Sequence, residues 1–120
     1  MFEVTKEFNF CAAHFLPGHE KCGKMHGHNY RVLVTFRAHE LREGQMVVDF
    51  NEIKRAVGPI IDDLDHICLN EHIAFGDWPT TAEEIAGYIF RRIKKYAEVA
   101  CLYSVTVFET PTSSATYRED

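Results

Sequence analysis

What the chain lacks narrows the field before anything it contains. It has no apolar stretch approaching the roughly 20 residues that a membrane-spanning helix requires. Its start, MFEVTKEFNF, has neither the basic end nor the apolar centre of a secretory signal. No run or stripe of Lys and Arg is present and the formal charge is -5, which argues against nucleic acid or an anionic membrane as a partner. The four cysteines, at 11, 22, 68 and 101, form no CxxC pair, so they read as free thiols of a reducing compartment rather than as a disulfide framework. The chain is therefore expected in the cytoplasm. Also missing are a glycine fingerprint for dinucleotide phosphates, an internal repeat and any low-complexity segment. What remains, at 120 residues and 46% hydrophobic, is one globular domain spanning 1–120, large enough to bury a core unaided. A metal site in such a chain would serve chemistry rather than folding.

Histidine, in contrast, is abundant. There are seven, and four of them (His14, His19, His26 and His28) fall between positions 14 and 28. The residues around them alternate. Phe2, Val4, Phe8, Phe10, Ala12 and His14 share one parity, interrupted only by Lys6, and His26, His28, Tyr30, Val32, Val34 and Phe36 share another. Both runs predict half-buried strands, joined by the Pro- and Gly-containing loop 16–23. Met46–Val48 predicts a short third strand or a strand continuation. From Asn51 the period changes to helical: Ile53, Ala56, Val57, Ile60, Ile61 and Leu64 form one stripe, started by Asp49 or Asn51, with an interior Pro59 that removes one backbone donor and can kink the helix. Thr81-Ala-Glu-Glu is a capping box that opens a second helix with Ile85, Ile89 and Ile93 inside. A last strand is predicted over Cys101–Thr110, with Val105, Val107 and Glu109 on one parity. Strand, strand, helix, helix, strand describes an α+β domain, an antiparallel sheet with two helices on one face.

His26-Gly27-His28 entering one strand and His14 ending the preceding one would bring three imidazoles together if the strands pair, because residues i and i+2 share a sheet face. Gly27 leaves room beside them. Three neutral imidazoles suit Zn2+, at about 2.0–2.1 Å, and leave the open position of a catalytic centre, although other divalent ions also accept imidazole. The bland alternative is three polar strand-end residues. His19 reads as solvated. Cys22 is either a fourth ligand that closes the site or a free thiol whose pKa the cation lowers; the second is preferred because the fold needs no structural metal. Asp65-His66 is a weak signal alone, yet a carboxylate beside a histidine makes a general acid or base. Glu109 either reaches water at its strand end or sits buried, where it would need a ligand with adjacent N–H donors.

Taken together, Cys22-Gly-Lys-Met-His26-Gly-His28-Asn29-Tyr30, Ala12-Ala13-His14, Leu64-Asp65-His66, Pro79-Thr80-Thr81 with Glu83, and Phe108-Glu109-Thr110 resemble the 6-pyruvoyl-tetrahydropterin synthase family over essentially the whole chain. The short chain and the gap between Cys22 and His26 look like the bacterial branch of that family that forms 6-carboxy-5,6,7,8-tetrahydropterin on the way to queuosine. The resemblance implies a four-stranded antiparallel sheet with two helices (the tunnelling fold), joined into barrels and a homohexamer with active sites between subunits. It implies His14, His26 and His28 as ligands of Zn2+, Cys22 as the proton-moving base, Asp65 and His66 as an acid/base pair, Glu109 as the anchor of a pterin ring, and Thr81 with Glu83 on the pterin side. The implied substrate is 7,8-dihydroneopterin triphosphate. Phe15 stands where relatives often carry arginine, and the Trp78-Pro-Thr-Thr segment leaves Thr80 and Thr81 as rivals for one role. Rival functions are a pyruvoyl-forming or side-chain-cleaving enzyme of the same family and a non-catalytic, zinc-stabilised assembly module.

Overall fold

The computed structural model describes residues 1–120. The two alternating runs form β1 (Phe2–His14) and β2 (His26–Ala38), paired antiparallel in one register from Phe2 opposite Ala38 to His14 opposite His26. Then come α1 (Phe50–Asp62), α2 (Ala82–Tyr96), β3 (Leu102–Thr110) and β4 (Ser113–Arg118). The sheet order is β1-β2-β3-β4 with every pair antiparallel. One face of it carries Phe10, Tyr30, Val32, Val34, Phe36, Val105 and Val107, all buried, against Ile53, Val57 and Ile61 of α1 and Ile85, Ile89 and Ile93 of α2. The other face is polar. There Arg31 pairs with Glu7 and lies over Phe108, and Arg37 pairs with Glu3 and lies over Tyr103. No helix is long and apolar enough to cross a membrane.

Both helices start where their caps predict. The Asp49 carboxylate accepts from the Asn51 N–H at 2.7 Å, and the Thr81 hydroxyl accepts from the Glu84 N–H at 3.2 Å, each a cap of roughly 1 kcal/mol. α1 runs unbroken through Pro59.

Two expectations are corrected. Met46–Val48 is not a strand: Gly44 and Gln45 both take the left-handed conformation (φ 80 and 61), so the chain turns back, Met46 meets Arg42 in an isolated bridge, and Val47 and Val48 plug the core. The last predicted strand is followed by β4, which the residue pattern alone did not indicate. It also begins one residue late, because Cys101 sits at φ 71. A bulge between Phe108 and Thr110 leaves Glu109 without a partner on β4.

Candidate functional site

The β1–β2 register decides where the histidines meet. His14 lies opposite His26 and Ala12 opposite His28, so the three rings share the inward face at one end of the sheet. Their centroids stand 4.6 to 5.0 Å apart. β3 brings Glu109 in from the far side of β2, on the same face as Val105 and Val107. His14, His26, His28 and Glu109 each offer one ligand atom, and all four atoms lie within 4.8 Å of one another. Two of them, His14 Nε2 and His28 Nε2, are buried and have no hydrogen-bond partner. Orphaned buried nitrogens are costly unless something outside the chain satisfies them, and a divalent cation is what three imidazoles and a carboxylate share a preference for.

The surroundings fix the rings. The His14 Nδ1–H donates to the Thr80 backbone carbonyl at 2.9 Å, with the Thr80 hydroxyl 3.2 Å away. The His26 Nδ1–H donates to the Lys24 carbonyl at 2.7 Å. Such outer contacts set the tautomer and turn Nε2 toward a metal. Asn70 clamps the next residue, bonding both the N–H and the carbonyl of Phe15 at 2.9 Å. Burial pushes the imidazoles of His14 and His28 below their ordinary value, against the opposing pull of Glu109, so both stay neutral and ready to ligate at neutral pH. Tyr30, stacked on Phe10, has its phenol pushed upward by the same burial.

Asn70 had no distinguishing signal in the sequence, and Thr80 was left as a rival of Thr81; their contacts with Phe15 and His14 reveal them. Thr80, fully buried, is the threonine that meets the cluster. The Thr81 hydroxyl is committed to the helix cap, and Glu83 is exposed in the first turn of α2. Neither touches the histidines.

Cys22 is exposed and lies outside the four-residue cluster. Its loop is nonetheless held: the Cys22 carbonyl accepts from the Leu16 N–H at 2.6 Å. A side chain at Gly23 would stand 2.1 Å from the His19 carbonyl, so only glycine permits that closure. Cys22 does not join the four-atom cluster here; the Glu109 carboxylate stands beside the three histidines instead.

Asp65 and His66 follow α1 and dock on the open edge of β1. The Cys11 N–H donates to the Asp65 carboxylate at 2.8 Å, the Cys11 carbonyl accepts from the His66 N–H at 2.6 Å, and the Ala13 N–H donates to Ile67. Those bonds, the Cys11 N–H first and the His66 ring second, hold the Asp65 carboxyl below its ordinary range. The ion pair between Asp65 and His66 Nδ1 measures 2.9 Å. His66 adopts φ 58, uncommon for a residue with a side chain and frequent at functional positions. Two clefts flank His28: one of about 500 Å³ between Cys11, Asn29, His66 and Cys68, and one of about 430 Å³ between Arg31, Phe108 and Glu109. Gly27 floors both.

A domain of this kind, an antiparallel sheet carrying a three-histidine cluster at one end under two helices, matches one known family. The model of 6-pyruvoyl tetrahydropterin synthase matches residues 3–120, and the chain belongs to that family. It is 36% identical to the 6-carboxy-5,6,7,8-tetrahydropterin synthase of Haemophilus influenzae, over 99% of this chain and 100% of that one. With the enzyme of the same name from Synechocystis it shares 41% identity, over 98% of this chain and 93% of the other. Among solved structures, that of Caenorhabditis elegans 6-pyruvoyl tetrahydropterin synthase superposes with a TM-score of 0.89 at 28% identity, covering 99% of this chain and 96% of that one.

Proposed function

We propose that this chain is a zinc-dependent lyase of the 6-carboxy-5,6,7,8-tetrahydropterin synthase type, converting 7,8-dihydroneopterin triphosphate to 6-carboxytetrahydropterin, acetaldehyde and triphosphate in the cytoplasm, on the way to queuosine. The observation that carries the reading is the convergence of the His14, His26 and His28 Nε2 atoms beside the Glu109 carboxylate, with His28 lining two clefts. His14, His26 and His28 would hold Zn2+, which supplies Lewis acidity toward hydroxyl and carbonyl oxygens of the pterin side chain.

Glu109, in the cleft beside Arg31 and Phe108, accepts from the 2-amino and N3–H edge of the ring, a charge-assisted bidentate contact. Cys22, on its closed loop, removes and returns protons at the side-chain carbons, and His66, oriented by Asp65, serves the oxygens. Thr81 and Glu83 belong to the same proposal as the further pterin-side residues, with Thr80 assigned to His14. The electrons that leave the side chain reduce the ring and one water is consumed, so the reaction balances without an external reductant.

His66 is exposed, and the lower edge of β1 and all of β4 offer unpaired backbone. Edge-to-edge pairing of copies would cover both, in keeping with a homo-oligomer, a hexamer of two stacked trimers with sites between subunits. The likeness to the C. elegans enzyme favours one second reading, a pyruvoyl-forming activity. Incubating purified, zinc-loaded protein with 7,8-dihydroneopterin triphosphate and weighing the products by mass spectrometry separates them. 6-Carboxytetrahydropterin with acetaldehyde is expected, an intact pyruvoyl side chain selects the second reading, and absence of turnover rejects both.

A further inference from the structure

Four side-chain atoms crowd one small volume at the end of β1 and β2, and most of them have no hydrogen to give. His14 Nδ1 faces the Thr80 carbonyl and His26 Nδ1 the Lys24 carbonyl. A carbonyl only accepts, so both Nδ1 atoms carry the hydrogen, and in the neutral rings both Nε2 atoms present bare lone pairs. A carboxylate, too, only accepts. Glu109 Oε1 nevertheless stands 3.1 Å from His28 Nε2 and 3.9 Å from His14 Nε2, while neither nitrogen has a hydrogen-bond partner. The short approach to His28 lacks the alignment of a hydrogen bond. With the lone pairs of His14, His26 and Glu109 gathered in one small volume, the atoms repel unless a cation lies between them. Ligand atoms around a tetrahedral zinc, with bonds of about 2.0–2.1 Å, stand roughly 3.4 Å apart, and the two Glu109 distances bracket that spacing.

The backbone allows Glu109 a second position. The bulge between Phe108 and Thr110 leaves it unpaired on β4, and bulges re-aim side chains. Its side chain is 24% exposed where that of His14 is fully buried, and it lines the cleft that holds Arg31 and Phe108. The carboxylate, on an irregular stretch of strand and lining a cleft, has both a way in and a way out.

We propose that Glu109 is the fourth ligand of the resting metal centre, and that a ligand carrying adjacent ring N–H donors draws the carboxylate off and opens the centre. This rests on the reading that His14, His26 and His28 hold a divalent ion. The exchange replaces one carboxylate–metal contact with two N–H···O hydrogen bonds, and no proton or electron moves. The centre is then closed to water and to small hydroxy compounds until a molecule with the right ring edge arrives. Recognition of the ring and exposure of the metal become one event.

Cobalt reports on this without turnover. Metal-free protein is titrated with Co2+ against a chromophoric chelator, for the wild type, Glu109→Gln and Glu109→Ala, with folding followed by circular dichroism; the isosteric Gln variant guards against loss of fold. Both variants are expected to bind Co2+ at least about tenfold more weakly and to show visible bands displaced from those of the wild type. Adding 2-amino-4-oxopteridine, a ring with no side chain, should move the wild-type bands toward those of the variants and leave the variants' bands unchanged. Equal affinities and spectra in all three proteins overturn the proposal while the histidine site stands, as does a wild-type spectrum that the bound pteridine leaves untouched. A wild type that takes up no Co2+ overturns the histidine site itself and the proposal with it.

Discussion

His14 and His66 lie near the same end of β1, and their surroundings have little in common. His14 is fully buried, with its Nδ1 locked on the Thr80 carbonyl and Nε2 aimed at two other imidazoles. The His66 side chain is 78% exposed and its one polar side-chain partner is its neighbour Asp65. The candidate metal-binding half is preorganised within one chain, so little rearrangement of its side chains would be needed to hold an ion. The half proposed for acid/base work is held to the strand by the backbone of His66 and Ile67 and by the Asp65 carboxylate on the Cys11 N–H. It acquires the dry surroundings that make proton transfer effective only when a substrate or a second surface covers it.

The sharpest way to break this contrast is to remove a ligand. His28→Ala should lower zinc affinity by more than the ten- to hundredfold that losses of outer contacts cost, and activity should vanish with the metal; metal analysis after dialysis checks it. Retention of a full complement of zinc would mean that the histidines are strand-end residues and no more.

On the open side the expected pattern is the reverse. Cys22→Ala and His66→Ala should each keep zinc and fold but lose turnover by at least about a hundredfold, the usual worth of a proton-transfer group. Steady-state rates beside metal content separate the two outcomes. If Cys22→Ala also loses its metal, the thiol is a ligand after all and the division between the halves fails.

An intermediate effect belongs to Thr80. Its carbonyl survives mutation, so Thr80→Val tests the hydroxyl alone, 3.2 Å from His14 Nδ1 and donating to Asn70 at 3.4 Å. Zinc affinity should fall by about tenfold, as for other outer-shell partners, with melting temperature little changed. An unchanged affinity would leave the backbone carbonyl as the whole support of His14.

These same residues mark how far the sequence could be read. His14, His26 and His28 were legible because strand alternation, a local rule, puts them on one face, and pairing of adjacent strands does the rest. Glu109 was legible as a carboxylate in an apolar row but not as a neighbour of the histidines, because that depends on β3 lying beside β2 and on a bulge that no residue type announces. Thr80 could not be separated from its neighbour: the capping box picks out Thr81, and burial of Thr80 follows only from how the segment before α2 meets His14 at the end of β1. β4 failed for a related reason. Ser-Ser-Ala-Thr-Tyr-Arg alternates only between exposed and half-buried positions, so no apolar row marked it, and its pairing with β3 makes it a strand. Met46–Val48 erred the other way, apolar enough for a strand but turned aside by Gly44 and Gln45.

The smallest expected effect is a pH dependence confined to the buried half. In the metal-free protein, burial holds His14 and His28 below the ordinary value of 6.5. As pH drops below that value, histidines of the unfolded chain take up protons that these two refuse while folded. The unfolded state then binds more protons, and stability falls with pH. Above about 6.5 neither state holds those protons and the contribution of the pair is level; well below the folded values both states hold them and the loss stops growing. Urea unfolding of metal-free protein between about pH 5 and pH 8 should therefore show a shoulder that declines on the acid side of 6.5. Replacing His28 with asparagine removes one of the two groups, so the decline should become shallower in His28→Asn while the level region stays level. An acid-side slope as steep in His28→Asn as in the wild type would place the protons elsewhere and remove burial of the metal-binding half as their cause.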